Sequence, residues 1–297
     1  MRDGPQEIFA ATKSKPHLMA YPSTKKKRVL PGFGLTLGTS LLFTSLFIML
    51  PLTALVVKAA STSWEQYWGY ISDPRAIATY KLTLTCALWA TLINISLGFW
   101  AAWILARFEF PGRRLLDAII DLPFALPTAV AGLSLAALTV PAAPIGGYFA
   151  QHGIKIAYAI PGIVLAMSFT SFPFVVRTVQ PVIEDMEPSA EEGALSLGAG
   201  PFTTFFRVLL PQIMPAIFAG GTVAFVRSLG EFGAIVFISG NLPFRTEITA
   251  LLIFIRIQEY DYVGAAALAS VILGFAFVTL IVMNVLQGWH YRRLAPI

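Results

Sequence analysis

Two charged side chains interrupt an apolar stretch in the last third of the chain. Arg227 and Glu231 lie four residues apart, and Ser228 lies between them. Charged groups at membrane depth usually mark substrate pathways or proton relays. In that interpretation, Arg227 lowers the barrier for an anion and Glu231 positions it, with Ser228 as a further candidate pathway residue. The alternative is an i,i+4 ion pair that only holds the end of a helix.

A second acidic pair lies in another apolar segment. Asp117 and Asp121 are four residues apart, and Arg113 precedes Asp117 by the same spacing. The spacing predicts an ion pair between Arg113 and Asp117. Two acids would repel an anionic cargo, so helix packing is the favoured role for this pair.

Residues 184–211 form a polar segment with helical character, and its recognisable part begins at Glu187. Ser189 followed by Glu192 predicts a capping box at a helix start. Gly198 suits the left-handed residue that ends such a helix, and Pro201 suits the first turn of the next one. A helix of about nine residues is marginal alone in water. Its small residues, Gly193 and Ala194 among them, therefore predict a docking surface.

The sequence contains no set of residues for catalysis. The histidines, His17, His152 and His290, are scattered, and the single cysteine, Cys86, lies in an apolar run where a disulfide within the chain is impossible. No glycine-rich stretch matches a phosphate-binding loop. We therefore expect a non-catalytic protein that binds no cofactor, and no nucleic-acid partner.

The composition predicts an all-α membrane protein. Of 297 residues, 56% are hydrophobic and 12% are charged, about half the charged fraction of a soluble domain. Apolar runs long enough to span a bilayer predict six helices, at 33–57, 82–106, 115–140, 156–176, 208–227 and 263–287. Pro123 and Pro127 are expected to break the third, and 228–239 could be helix, broken helix or a re-entrant piece. Residues 58–81, 141–155 and 240–262 are predicted loops.

The basic residues predict the orientation. If the N-terminus is cytoplasmic, 14 of the 21 Lys and Arg residues lie inside and 7 outside; the outer seven are Lys58, Arg75, Lys81, Lys155, Arg227, Arg245 and Arg256. An excess of basic residues marks the cytoplasmic side. Both termini are therefore expected inside, with 1–31 and 288–297 as basic tails and the 184–211 segment facing the cytoplasm.

The 184–211 segment resembles the EAA motif of ABC importer permeases. Glu192, Gly193, Ala194 and Gly198 match its first part, and Val208, Leu210 and Pro211 match its end, with Gly193 and Val208 as mild departures. The resemblance implies a type I importer permease. In that fold, this segment is the coupling helix that binds a cytoplasmic ATPase, so Ser189, Glu192, Gly193, Ala194, Gly198, Leu210 and Pro211 are its expected coupling residues.

Further stretches resemble the T subunit of sulfate/thiosulfate permeases. They are RSLGEFG from Arg227, VFISGN from Val236 and DLPFALPTAVAG from Asp121. The likeness implies a first helix within 32–58 and a five-helix core over 79–287. It also implies a W-type sister subunit, two ATPase chains that use ATP and Mg²⁺, and an external binding protein, in a bacterial inner membrane.

Several alternatives stay open at this point. The cargo could be sulfate, thiosulfate, molybdate or tungstate, and the second permease chain could be identical or different. An ion-coupled secondary transporter predicts inverted repeats, and the sequence shows no convincing one. A membrane enzyme would need a catalytic constellation, which the sequence lacks.

Overall fold

The structure is a computed structural model that describes residues 33–294, with side chains over 33–286. Every regular element in this range is helical. The predicted tail 1–31 lies outside the described residues. The helices are α1 (Phe33–Ala60), α2 (Trp64–Ser72), α3 (Pro74–Arg107), α4 (Arg113–Ala125), α5 (Thr128–Thr139), α6 (Pro144–Gln151), α7 (Ile160–Glu184), α8 (Pro188–Ser196), α9 (Pro201–Leu229), α10 (Ile235–Ile238), α11 (Thr249–Gln258) and α12 (Tyr262–Leu294).

Five helices of the described chain are long and apolar enough to cross a membrane, namely α1, α3, α7, α9 and α12. α4 and α5 pass the same test only as a pair bent by 112°, and they give a sixth span if the pair is counted as one. The bend falls at Leu126 and Pro127, because a residue before proline is forced out of the helical region; Leu126 has ψ 133°. Pro123 instead lies inside α4, so the predicted break there is wrong.

Several predicted boundaries are too short because hydropathy detects only the apolar part of a helix. α3 begins at Pro74 rather than 82, where the Asp73 side chain caps it by accepting a hydrogen bond of 2.7 Å from the Arg75 backbone N–H. α7 continues to Glu184 rather than 176, and α12 to Leu294 rather than 287. Part of the predicted C-terminal tail is therefore helical.

The three predicted loops contain helices. α2 and the start of α3 occupy much of 58–81, and α6 lies within 141–155. α11 lies within 240–262 and buries Leu251 and Leu252. The stretch 228–239 is a broken helix, since α9 ends at Leu229 and α10 is only four residues long.

The core of the main bundle lies where α3, α7 and α9 cross. Gly98 of α3 and Gly220 of α9 both face Val175 of α7, and a Cβ on either glycine would lie only 3.0–3.1 Å from Val175. Small residues allow membrane helices to approach closely. The site residues are therefore carried by a tightly packed frame.

Candidate coupling helix and charged pathway residues

α8 begins two residues earlier than a capping box at Ser189 requires. Its N-cap is Glu187, and Pro188 is the first helical residue. Ser189 is therefore inside the helix, where its hydroxyl donates to the Glu187 carboxylate at 3.2 Å. Glu191 is the acid of the first turn, whereas the carbonyl of Glu192 accepts from the Ser196 hydroxyl at 2.8 Å. The predicted capping box is wrong.

Gly198 ends α8 in the predicted conformation, with φ +80°. The Gly198 N–H donates to the Leu195 carbonyl at 2.9 Å, and the Ala199 N–H donates to the Ala194 carbonyl at 3.0 Å. These two bonds form a Schellman motif. The next helix begins at Pro201 with Gly200 as its N-cap, also as predicted.

The face of α8 that carries Gly193 is exposed. No residue of α8 is buried, and nothing lies within 4 Å of the position that a Cβ on Gly193 would take. Leu197, directly after the helix, is 90% exposed. An exposed leucine beside small residues favours a docking surface for another protein.

Two contacts hold the other side of this segment to α3. The Arg107 guanidinium at the end of α3 binds the Glu191 carboxylate at 2.5 Å and lies 5.3 Å from the centre of the Trp103 ring. Phe205, at the start of α9, packs against Trp100 and Trp103. Sequence reasoning missed these contacts, because Arg107 and Glu191 are 84 residues apart.

Leu210 and Pro211 lie where α9 changes its winding. A π-helical turn, Phe205–Leu209, comes directly before them. Proline has no N–H to donate and its ring crowds the preceding turn. π-Helical turns inside α-helices are frequent at functional sites. Leu210 packs against the core near the N-terminal end of α9.

The three candidate pathway residues have different environments. Arg227 and Glu231 form an ion pair of 2.8 Å, in which the Arg227 side chain is 35% exposed and Glu231 only 1%. The other Glu231 oxygen accepts from the Ala234 N–H at 3.0 Å, and thereby holds the turn before α10. Ser228 is buried, and its hydroxyl donates to Ser171 at 3.1 Å. Among these three, only Arg227 is open to a passing ion.

The acidic pair on α4 does not bind Arg113 as predicted. Arg177 of α7 binds Asp117 at 2.7 Å and Asp121 at 2.6 Å. Arg113 lies 3.9 Å from Glu184 instead. The local spacing rule failed because a cation on a neighbouring helix lies closer to these carboxylates.

A further charged cluster joins the 240–261 segment to α2 and α3. Glu247 is fully buried and binds Arg75 through two hydrogen bonds of 2.6 and 2.7 Å. The Tyr70 hydroxyl donates to Asp261 at 3.3 Å. Burial, together with the nearby Asp261 carboxylate, raises the pKa of Tyr70. Within the described residues, no group of three His, Cys, Asp or Glu side chains could hold a metal ion.

Most of the chain matches a known transport family. Residues 94–296 match the family described as "binding-protein-dependent transport system inner membrane component". The chain belongs to this family. It is thus a multi-pass membrane protein and a permease subunit of a transport system, as predicted.

Curated relatives match almost the whole permease. The sulfate transport system permease proteins CysT of Salmonella typhimurium (strain LT2) and Escherichia coli (strain K12) are each 52% identical to it over 272 residues, which cover 92% of this chain and 98% of each relative. CysT of Synechocystis sp. is 44% identical over 253 residues, which cover 85% of this chain and 88% of the relative.

Solved structures confirm the predicted importer-permease fold. A bacterial ABC transporter involved in the import of the acidic polysaccharide alginate superposes with a TM-score of 0.70 at 16% identity, covering 89% of this permease and 96% of that chain. The MetNI methionine ABC transporter gives a TM-score of 0.57 at 13% identity, covering 77% and 99%. At these identities, the likeness concerns the fold alone.

Proposed function

We propose that this permease is the T-type membrane subunit of an ATP-driven importer of sulfate, with thiosulfate as a second cargo. The observation that carries the proposal is the 52% identity to sulfate transport permeases over 92% of the chain. The relatives named above are all sulfate permeases, which disfavours molybdate or tungstate as the main cargo. Arg227, a partly exposed cation in an apolar span, suits an anionic cargo.

The partners follow from the same proposal. A W-type sister subunit completes the pathway, and an ATPase dimer with ATP and Mg²⁺ docks on α8 and Leu197. An external binding protein delivers the anion; a structurally similar alginate transporter has been solved in complex with its periplasmic protein. The complex lies in a bacterial inner membrane.

Transport by the complete complex tests the cargo. The permease, its sister subunit and the ATPase are reconstituted in vesicles with the binding protein, and radiolabelled sulfate uptake is measured with and without ATP. We expect sulfate uptake that depends on ATP. An excess of thiosulfate should suppress this uptake, and molybdate at the same concentration as thiosulfate should leave it largely unchanged. Molybdate uptake exceeding sulfate uptake would assign the other cargo, and uptake without ATP would indicate a secondary transporter.

The proposed orientation can be tested with reporter fusions. A reporter active only outside the cytoplasm should work in the turn at Gly153 and fail at Ser189, because the basic residues place α8 inside. Gly153 has open space around it, whereas the nearby Gly146 is packed against the backbone of Val140 and would not tolerate an insertion. Activity at Ser189 would rule out binding of α8 to a cytoplasmic ATPase.

Replacement of Arg227 tests the pathway role. Arg227→Ala should reduce sulfate uptake more than it reduces the amount of assembled complex, because the exposed cation is lost from the pathway. The double variant Arg227→Ala/Glu231→Gln removes the uncompensated buried carboxylate as well. If Arg227 acts on the anion, the double variant stays impaired in uptake even where its stability recovers. Full recovery of uptake would leave Arg227 with only the ion-pair role.

A further inference from the structure

A ladder of polar side chains joins α4 to α7. Each helix contributes three polar residues, spaced three or four positions apart so that they share one face of the helix. The two helices are antiparallel along this contact. These residues are Arg113, Asp117 and Asp121 on α4, and Glu184, Gln180 and Arg177 on α7. At the inner end, Gln180 donates to Glu184 at 2.9 Å, so the contacts are continuous.

Arg177 is the centre of this ladder. Its guanidinium binds Asp121 in a bidentate manner, at 2.6 and 2.8 Å. It also donates to the Asp117 carboxylate at 2.7 Å, to the Asp117 carbonyl at 3.1 Å and to Gln180 at 3.0 Å. These bonds engage all three guanidinium nitrogens. A lysine at this position would keep the charge but lose the planar fork.

The apolar packing of α4 is limited to a few contacts, which include Leu116 against the core and a T-shaped contact between the rings of Phe124 and Phe174. Ile120 is the only buried residue of this 13-residue helix, whereas Leu115 is 66% and Ile119 53% exposed. α5, beyond the 112° bend, buries four residues. Its Gly132 lies so close to Ala234 that a Cβ would come within 2.1 Å of the Ala234 carbonyl oxygen. α5 is therefore fixed by close packing, whereas α4 is held by Arg177 together with a few apolar contacts.

The ladder also marks one face of the chain as water-accessible. The side chains of Asp117 and Asp121 are 44% and 47% exposed, and that of Arg177 is 31% exposed. Ionised carboxylates in a membrane span face a water-filled cavity or protein rather than lipid. This face of α4 and α7 therefore belongs to the side of the permease that lines a pathway or meets the other subunit.

We propose that Arg177 is a positioning residue of the transport cycle, which holds the inner half-span α4 against α7 beside the translocation pathway. Bidentate hydrogen bonds are directional, so a shift of α4 relative to α7 would break this contact as a unit. Leu126 and Pro127 provide the bend about which α4 moves. The proposal rests on the transport function proposed above, but assigns Arg177 no contact with the cargo.

The test uses the reconstituted complex with its binding protein. Arg177→Gln, Arg177→Lys and the exchange Arg177→Asp/Asp121→Arg are compared with Arg114→Gln, which removes an exposed cation from α4. Sulfate imported per ATP hydrolysed is measured beside the yield of assembled complex. Assembly should persist, because the carboxylates left behind are part-exposed and the core of α3, α7 and α9 does not involve Arg177.

We expect Arg177→Gln to lower the sulfate imported per ATP by roughly tenfold, with Arg177→Lys in between and Arg114→Gln unchanged. The exchange keeps the net charge and one direct pair, and should regain a substantial part of the loss. Wild-type transport in Arg177→Gln, or a loss of uptake that only follows a loss of assembled complex, would overturn the proposal. So would an exchange variant that does no better than Arg177→Gln. A wild-type complex that imports no sulfate would instead contradict the proposed function.

Discussion

Gly198→Val should abolish most ATPase binding and sulfate uptake while leaving membrane insertion normal. Gly198 has φ +80°, a conformation that costs a residue with a Cβ roughly 1–2 kcal/mol, and more for a β-branched one. The substitution should break the Schellman motif and tilt Leu197 and α8 away from the ATPase. Loss of about 1.4 kcal/mol of docking energy corresponds to a tenfold weaker contact. The measurement is ATPase retained on the purified permease, beside uptake in the same preparation.

The chain offers a matched control for this substitution. Gly153 has φ +74°, and like Gly198 it has open space around the position of a Cβ. Gly153→Val therefore introduces similar backbone strain away from α8, and we expect it to keep ATPase binding and uptake. If Gly198→Val retains both as well, α8 is not the coupling element. If both variants lose activity, strain alone explains the result.

Arg75→Ala should produce the largest loss of stability. It leaves the fully buried Glu247 carboxylate without its cation, and breaking a buried ion pair costs several kcal/mol. Because Arg75 itself is partly exposed, we expect about 3 kcal/mol, near the lower end of that range. The readout is the thermal unfolding midpoint of the purified permease in detergent.

Two further variants separate the buried charge from the loss of a cation. Arg75→Ala/Glu247→Gln removes both charges, and should regain much of the unfolding midpoint lost in the single variant. Arg245→Ala removes an exposed cation two residues before Glu247 and should have little effect on the unfolding midpoint. An unfolding midpoint for Arg75→Ala equal to that of Arg245→Ala would show that the Arg75–Glu247 pair does not stabilise the fold.

The positions of two helix ends within residues 184–211 could be predicted from local backbone preferences. Gly198 and Pro201 lie where their backbone preferences predicted, because left-handed conformations and helix first turns select these residues directly. The predicted start of α8 was wrong for a related reason. Pro188 also suits a first turn, so the helix begins there and Ser189 lies too far inside to act as the cap.

Most of the charged pairs were beyond the reach of the sequence. The i,i+4 spacing offered the Arg227–Glu231 ion pair as one alternative, and this pair forms, but the same spacing also predicted Arg113–Asp117, which does not form. The contacts of Arg177 with Asp121, Arg107 with Glu191 and Arg75 with Glu247 span 56, 84 and 172 residues. Such partners depend on which helices become neighbours, which the spacing along one helix does not encode.

The sequence by itself determined the class of protein, most of its spans and the position of α8. Apolar length, glycine and proline are local properties, so they predict most spans and turns directly, although Pro123 lies inside α4 without breaking it. Only the tertiary structure decided that Glu231 and Ser228 are buried while Arg227 is partly exposed, and that Arg177 holds α4. Exposure and long-range pairing depend on how α3, α4, α7 and α9 pack, because that packing decides which polar groups of different helices meet.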